Sequence, residues 1–317
     1  MRERGRRRTR EGAEEDAEGA ARGWASPLTE PGPRRHLAAM SPAPISALPA
    51  TLCDAALAVL TTAAPAEKVR LTRLYAAAWR DGRIAALGTA RPPARPARPE
   101  RPELRLPRDM PKRRKAQSLA GRIALLHALA HIELNAIDLA WDIVARFPTL
   151  PDGTALPRGF QDDWVQVADD EARHHALLEQ RLNALGASYG DLPAHDGLWQ
   201  ASEATAHDLP ARLAVVPLVL EARGLDVTPA MIDSLNRAGD PAAAEALQII
   251  HDEEISHVAA GRRWFQACAD ASGRDAQSWW QELVRTWFNG VLKRPFNEPS
   301  RSRADFPADW YEPLGVA

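Results

Sequence analysis

The 317 residues are 45% hydrophobic and 26% charged, a composition that excludes collagen-like, coiled-coil and wholly disordered classes. With 40 Lys and Arg against 42 Asp and Glu, the formal net charge of -2 gives no whole-molecule attraction for nucleic acid, so any basic contact surface must be local. Two distant cysteines, Cys53 and Cys268, make neither a disulfide framework nor a zinc cluster and suit a reducing, cytoplasmic setting.

In chain order, residues 1–44 mix Arg, Glu, Ala, Gly and Pro without periodicity, which reads as a disordered extension. Its Arg-rich start is followed by acids rather than an apolar stretch, so no signal peptide is expected, and Met40 is an alternative start of translation. Residues 45–90 hold a small helical pair, with apolar residues at helical spacing over 52–60 and again from Pro65, which suits a first helical turn. Residues 91–117 contain Pro92, Pro93, Pro96, Pro99, Pro102, Pro107 and Pro111, too dense for a helix, and read as an extended linker. Between 91 and 115 it carries ten basic residues against three acidic ones. The run Lys112, Arg113, Arg114 and Lys115 would allow a weak RNA contact. The plainer reading is a strap packed along acidic helices.

From 118 to 270 the pattern is helical, with four long candidates at 119–147, 161–185, 206–223 and 241–269. A shorter helix at 228–238 is expected to open on the capping pair Thr228-Pro229. A C-terminal helix and tail, 271–317, bring Trp279, Trp280, Trp287, Phe288 and Phe296, expected to cover a bundle end. The longest apolar run, 213–220, falls short of the roughly 20 residues of a bilayer span. No strand alternation of any length and no Gly-rich phosphate loop occur, so the class is all-α.

Each long helix places an acid where solubility would not. Glu133 shares a stripe with Leu126, Ala130, Ile137, Ala140, Trp141 and Val144, whereas His127, His131, Asn135, Asp138 and Asp142 form a separate stripe read as the polar face. Glu171 and His174 lie on the face of Trp164, Val167, Ala168, Leu178 and Leu182. Glu221 sits among Ala214, Pro217, Leu218 and Leu225, and Glu254 with His257 among Leu247, Ile250, Val258 and Trp264. A buried carboxylate normally neutralises, pairs or binds metal. Arg122 and Arg212 are the only cations positioned to reach those faces, so pairing is an incomplete answer. Four carboxylates and two imidazoles can hold two divalent cations, iron first, with manganese or a mixed pair as alternatives. His251, one turn before Glu254, is a candidate for hydrogen bonding to a ligand, and His175 for replacing His174, although solvent exposure is its plainer reading. Asp170 and Glu253 read as ordinary exposed acids.

The chain order is Glu133, then EARH (171–174), then Glu221, then EISH (254–257), with 50 residues between the middle pair of glutamates against 38 and 33 elsewhere. That resembles the ferritin-like superfamily, a four-helix bundle with one long crossover. The stretches HALAHIELNAIDLAWD (127–142), VADDEARHHALLEQRL (167–182), VPLVLEARGLDVTPAMI (216–232) and IIHDEEISHVAAGRRWF (249–265) are similar to a bacterial family of unknown function within it, over about residue 45 to the C-terminus. A looser likeness to tRNA-modifying di-iron hydroxylases rests on the ligand pattern alone. The resemblance implies a di-metal site. The expected function is a dioxygen-dependent oxidase or hydroxylase of unknown substrate. The alternatives are a non-catalytic iron-oxidising protective protein and a metal-free helical scaffold. No membrane partner is expected, and a homodimer is open. Tyr75, Tyr189 and Tyr311 fall outside the four ligand helices, which argues against a radical-storing subunit.

Overall fold

A computed structural model describes residues 48–110 and 116–316. The basic run from Lys112 to Lys115, residues 1–44 and Met40 lie outside them. The described residues are predominantly helical, and their strands are two parallel residue pairs, β1 (Leu292–Lys293) and β2 (Gly315–Val316).

Helix boundaries follow local chemistry. The Thr51 hydroxyl accepts from the Asp54 amide to cap α1 (Leu52–Leu60), and Pro65 opens α2 (Pro65–Arg80). Ser118 caps α3 (Leu119–Arg146) by accepting from Gly121 N, and Pro157 precedes α4 (Arg158–Ala184). After the short α5 (Gly197–Ala204), Asp208 caps α6 (Leu209–Val215). That helix widens into a π-helical turn, Val216–Glu221, and continues as α7 (Ala222–Arg237). Asp240 caps α8 (Pro241–Ser272), which ends at Gly273 in the left-handed region, φ 60°. α9 (Ala276–Trp287), α10 (Glu298–Arg303) and α11 (Ala308–Tyr311) form the C-terminal part.

One expected boundary is wrong. Thr228-Pro229 does not open a helix: Pro229 lies inside α7, making one continuous rod from 209 to 237. Proline cannot donate to the carbonyl four residues earlier, which here is Leu225. The Asn297 side-chain amide donates to that oxygen at 3.0 Å instead, so the tail supplies the missing bond.

Contacts set the directions of the four rods. Ala130 O accepts from His175 while Glu133 meets Glu171 and His174, so α3 and α4 are antiparallel. Asp163 accepts from Trp264, Asp170 meets His257 and Glu253 meets His174, so α4 and α8 are antiparallel as well. Gly261 faces Pro217 across the short connection from α7 to α8, making that pair antiparallel too; a Cβ on Gly261 would lie 2.5 Å from the Pro217 Cβ. The second and third rods therefore run parallel, and residues 185–208, with α5 among them, return the chain along the bundle.

The stripe read as a solvent-facing polar surface on α3 is buried throughout: His127, His131, Asn135, Asp138 and Asp142 are all interior. Periodicity separates polar from apolar faces but cannot tell water from a second polar layer, and that layer is supplied by α2 and the proline-rich strap. Lys68 and Arg98 both pair with Asp138, and Arg146 and Arg212 with Asp142. Arg95 of the strap pairs with Asp196. α3 is long and apolar enough to cross a bilayer by composition alone, yet 67% of its most apolar window is buried within the protein. The aromatic C-terminal residues pack as a layer, Trp280 against Phe306 and Trp310, and Phe265 against Trp279.

Candidate metal centre

The four rods converge their solitary acids. One ligand atom from each of Glu133, Glu171, His174 and Glu254 falls within a mutual distance of 4.8 Å, and the group can hold a metal ion. His257 adjoins it: its Nδ1 lies 3.1 Å from Glu171 Oε1 and 3.5 Å from Glu254 Oε2. His174 Nδ1 lies 3.4 Å from Glu133 Oε2, 3.5 Å from Glu171 Oε2 and 3.8 Å from Glu254 Oε1. Glu171 and Glu254 thus each turn one oxygen toward each imidazole, and the two rings are 5.8 Å apart.

Glu221 comes from the π-helical turn. Such a turn inserts one extra residue per hydrogen-bonded ring and re-aims the side chain after it, and it recurs at functional sites. Glu221 lines the same cavity as Glu133, Glu171 and Glu254. Burial first, then the Glu254 and Glu171 charges, push its carboxyl well above the usual range. Burial and Glu171 together push Glu133 up to about 8. Burial opposes charge on His174 and His257, but the surrounding carboxylates outweigh it and raise both imidazoles well above their usual value.

No Lys or Arg among the described residues pairs with this group. Among the described residues the ion-pair partners of Glu133, Glu171 and Glu254 are the two histidines. Arg122 pairs with Asp240 and Arg212 with Asp142, so neither reaches in. Five buried atoms are left without a hydrogen-bond partner: Glu171 Oε2, His174 Nδ1, Glu221 Oε2, Glu254 Oε2 and His257 Nδ1. Unpartnered buried polar atoms are individually costly, and five in one cluster fit an inorganic cation with oxygen and nitrogen donors.

Two residues read as exposed acids belong here. Asp170 is buried, with Oδ2 3.5 Å from His257 Nε2, and Glu253 Oε2 accepts from His174 Nε2 at 2.8 Å. Each helix thus supplies the outer carboxylate for the other helix's histidine, and Arg173 reaches both acids. The missed signal was local: an acid immediately precedes Glu-x-x-His in both DEARH (170–174) and EEISH (253–257).

His175 is not solvent-exposed; it is fully buried, and its Nδ1–H donates to Ala130 O at 2.8 Å. His251 meets Ser300 Oγ at 3.2 Å. Tyr189, far from the rods by position, packs on His127, His131 and His175, with its hydroxyl 2.8 Å from His131 Nδ1. A cavity of about 420 Å³ lies between α3 and the third rod, with the four glutamates in its wall.

A family model described as a protein of unknown function, DUF455, matches residues 61–312. An uncharacterized protein of Haemophilus influenzae is 42% identical over 212 residues, an alignment spanning 64% of this chain and 72% of that one. No solved structure matches.

Proposed function

The chain belongs to the DUF455 family, and from the geometry of its buried cluster we propose that it is a ferritin-like protein holding two divalent cations, iron first, and acting as a dioxygen-dependent oxidase or hydroxylase. The observation that carries this reading is the set of five unpartnered buried atoms on three rods, turned inward with no Lys or Arg among the described residues to meet them. Rod order supports the ferritin-like assignment: single glutamate, Glu-x-x-His, single glutamate, Glu-x-x-His, with the long return between the second and third rods.

Glu171 and Glu254 would serve both cations, since each offers an oxygen on both imidazole sides. Glu133 serves the His174 side and Glu221 the other. Both imidazoles turn Nδ1 toward the carboxylates and would hold the cations through it. Their Nε2–H groups donate outward to Glu253 and Asp170, which fixes tautomer and ring orientation and raises ligand basicity. Four carboxylates balance two divalent charges, so the loaded centre is close to neutral in its apolar surroundings. Manganese satisfies the same donors.

The chemistry such a pair would supply, if ferrous, is the two electrons that reduce dioxygen, while the protein's own residues would govern what is oxidised. The apolar walls beside the glutamates exclude water and receive an organic molecule, which favours substrate oxidation over a purely protective oxidation of iron.

The test is the metal content of protein purified without chelator. About two metals per chain are expected, lost in both Glu171→Ala and His257→Ala. Folded wild-type protein that takes up no metal when ferrous or manganous ion is supplied would end the proposal. Retention of both ions by the two variants would end it equally.

A further inference from the structure

We propose that the cavity beside the carboxylate cluster binds an amphipathic anion: an apolar chain or ring of medium length whose single carboxylate or phosphate head rests against Lys293 and Arg223, with its apolar end toward the four glutamates. The inference deepens the metal-centre reading and rests on it for the claim that this occupant is the substrate.

Size comes first. At roughly 30 Å³ per water-sized group, about 420 Å³ holds on the order of fourteen such groups, the scale of a ten- to twelve-carbon acid and too small for a nucleotide with its flanking phosphates. Chemistry comes second. Leu129 and Ile132 of α3, Leu220, Val227 and Met231 of the third rod and Ile250 of α8 form the walls. A sugar or a base would leave its polar groups unpaired against them, and that costs more than the apolar contact returns.

Polarity along the cavity decides the orientation. The glutamates are its buried end, and two metal ions would make that end neutral. The outer end carries Arg223, with its side chain 39% exposed, and exposed Lys293. Among the described residues no other acid lines the cavity. Arg223 is only weakly neutralised, at 3.4 Å from Asp226 Oδ2, because Arg301 donates to both Asp226 oxygens at 2.8 Å. Lys293 has no ion-pair partner among the described residues. Its backbone is pinned at the rim by pairing with Val316 and by Arg223 Nη1, which donates to its carbonyl at 2.7 Å. One unpaired and one weakly paired cation tied together at the mouth of an apolar cavity select a molecule with one anionic head and no other polar group.

The test is calorimetric titration of the full chain, metal-free and zinc-loaded, with decanoate, decyl phosphate and decan-1-ol. One of the two acids is expected to bind at least about fivefold more tightly than the alcohol, and which one does so identifies the head group. Lys293→Gln, a change at an exposed side chain, is expected to remove that preference and leave the alcohol's affinity unchanged. Val227→Trp is expected to abolish binding of all three. The proposal is overturned if none of the three binds the wild-type chain, if the alcohol binds as tightly as both acids, or if Lys293→Gln leaves the preference intact. Metal content is measured on the same samples, so the two readings fail separately. Acid binding by a chain that takes up no metal sinks the metal centre alone, and two metals without acid binding sink only this inference.

Discussion

Helix α3 carries two buried acidic groups little more than one turn apart, and they are treated in opposite ways. Asp138 and Asp142 each receive two cations, Lys68 with Arg98 and Arg146 with Arg212. Burial pushes Asp138 upward, but both of its partners oppose that shift. For Glu133 burial and the neighbouring Glu171 push the same way, to about 8. Where an acid only joins elements together, this fold neutralises it with side chains of its own. Where it gathers four acids, the only ion-pair partners among the described residues are His174 and His257, and the group could hold a metal ion.

The contrast can be broken most forcefully at its paired side. Asp142→Ala strands Arg212, which is wholly buried, and an uncompensated interior charge of this kind costs about 3–5 kcal/mol. Urea unfolding of Asp142→Ala should show that loss equally with and without metal; a loss that metal restores would mean the two groups are one.

His131 sharpens the comparison, since it lies in the paired stripe yet has no carboxylate. Burial first, then Arg98, push it down to about 4, so the folded state holds it neutral while the unfolded chain protonates near 6.5. A folded pKa below the unfolded one means that stability is complete above about 6.5 and is lost as pH falls toward 4, on the order of 2 kcal/mol by pH 5. Urea midpoints between pH 8 and 5 should fall accordingly, and His131→Gln should flatten the slope.

On the unpaired side the sign reverses. Glu221→Gln removes one of four mutually repelling acids, so at pH 8 the chelated protein should gain about 1 kcal/mol, or roughly 2 °C in melting temperature, while losing metal. A destabilised chelated variant would show that Glu221 has a partner inside the protein. Asn297→Ala gives the smallest effect, about 1 kcal/mol, because the Leu225 carbonyl loses the donor that stands in for Pro229.

The helical class was legible, and a lone acid in an apolar stripe of period 3.6 has few explanations, which is how Glu133, Glu171 and Glu254, brought together with His174, stood out. Asp138 and Asp142 were misread by the same logic, because a polar stripe pairs as readily with Lys68 and Arg98 as with water. Asp170 and Glu253 lay in plain view beside Glu-x-x-His, but their role depends on which helix faces which, and that is a tertiary fact. The π-helical turn has no periodic signature. VPLVLE suits an ordinary helix, and the close approach of Gly261 to Pro217 becomes visible only when α8 is laid against it. Pro229 looked like a start signal because its substitute donor lies 68 positions later, at Asn297.

The stretch from Lys293 to Arg301 does four jobs within nine residues: it lines the cavity, completes α7 through Asn297, meets His251 through Ser300 and pairs with Asp226 through Arg301. Cavity wall and scaffold are therefore carried by one short segment. Replacing this stretch would alter the cavity wall and the donor that stands in for Pro229 together, so neither can be exchanged without the other.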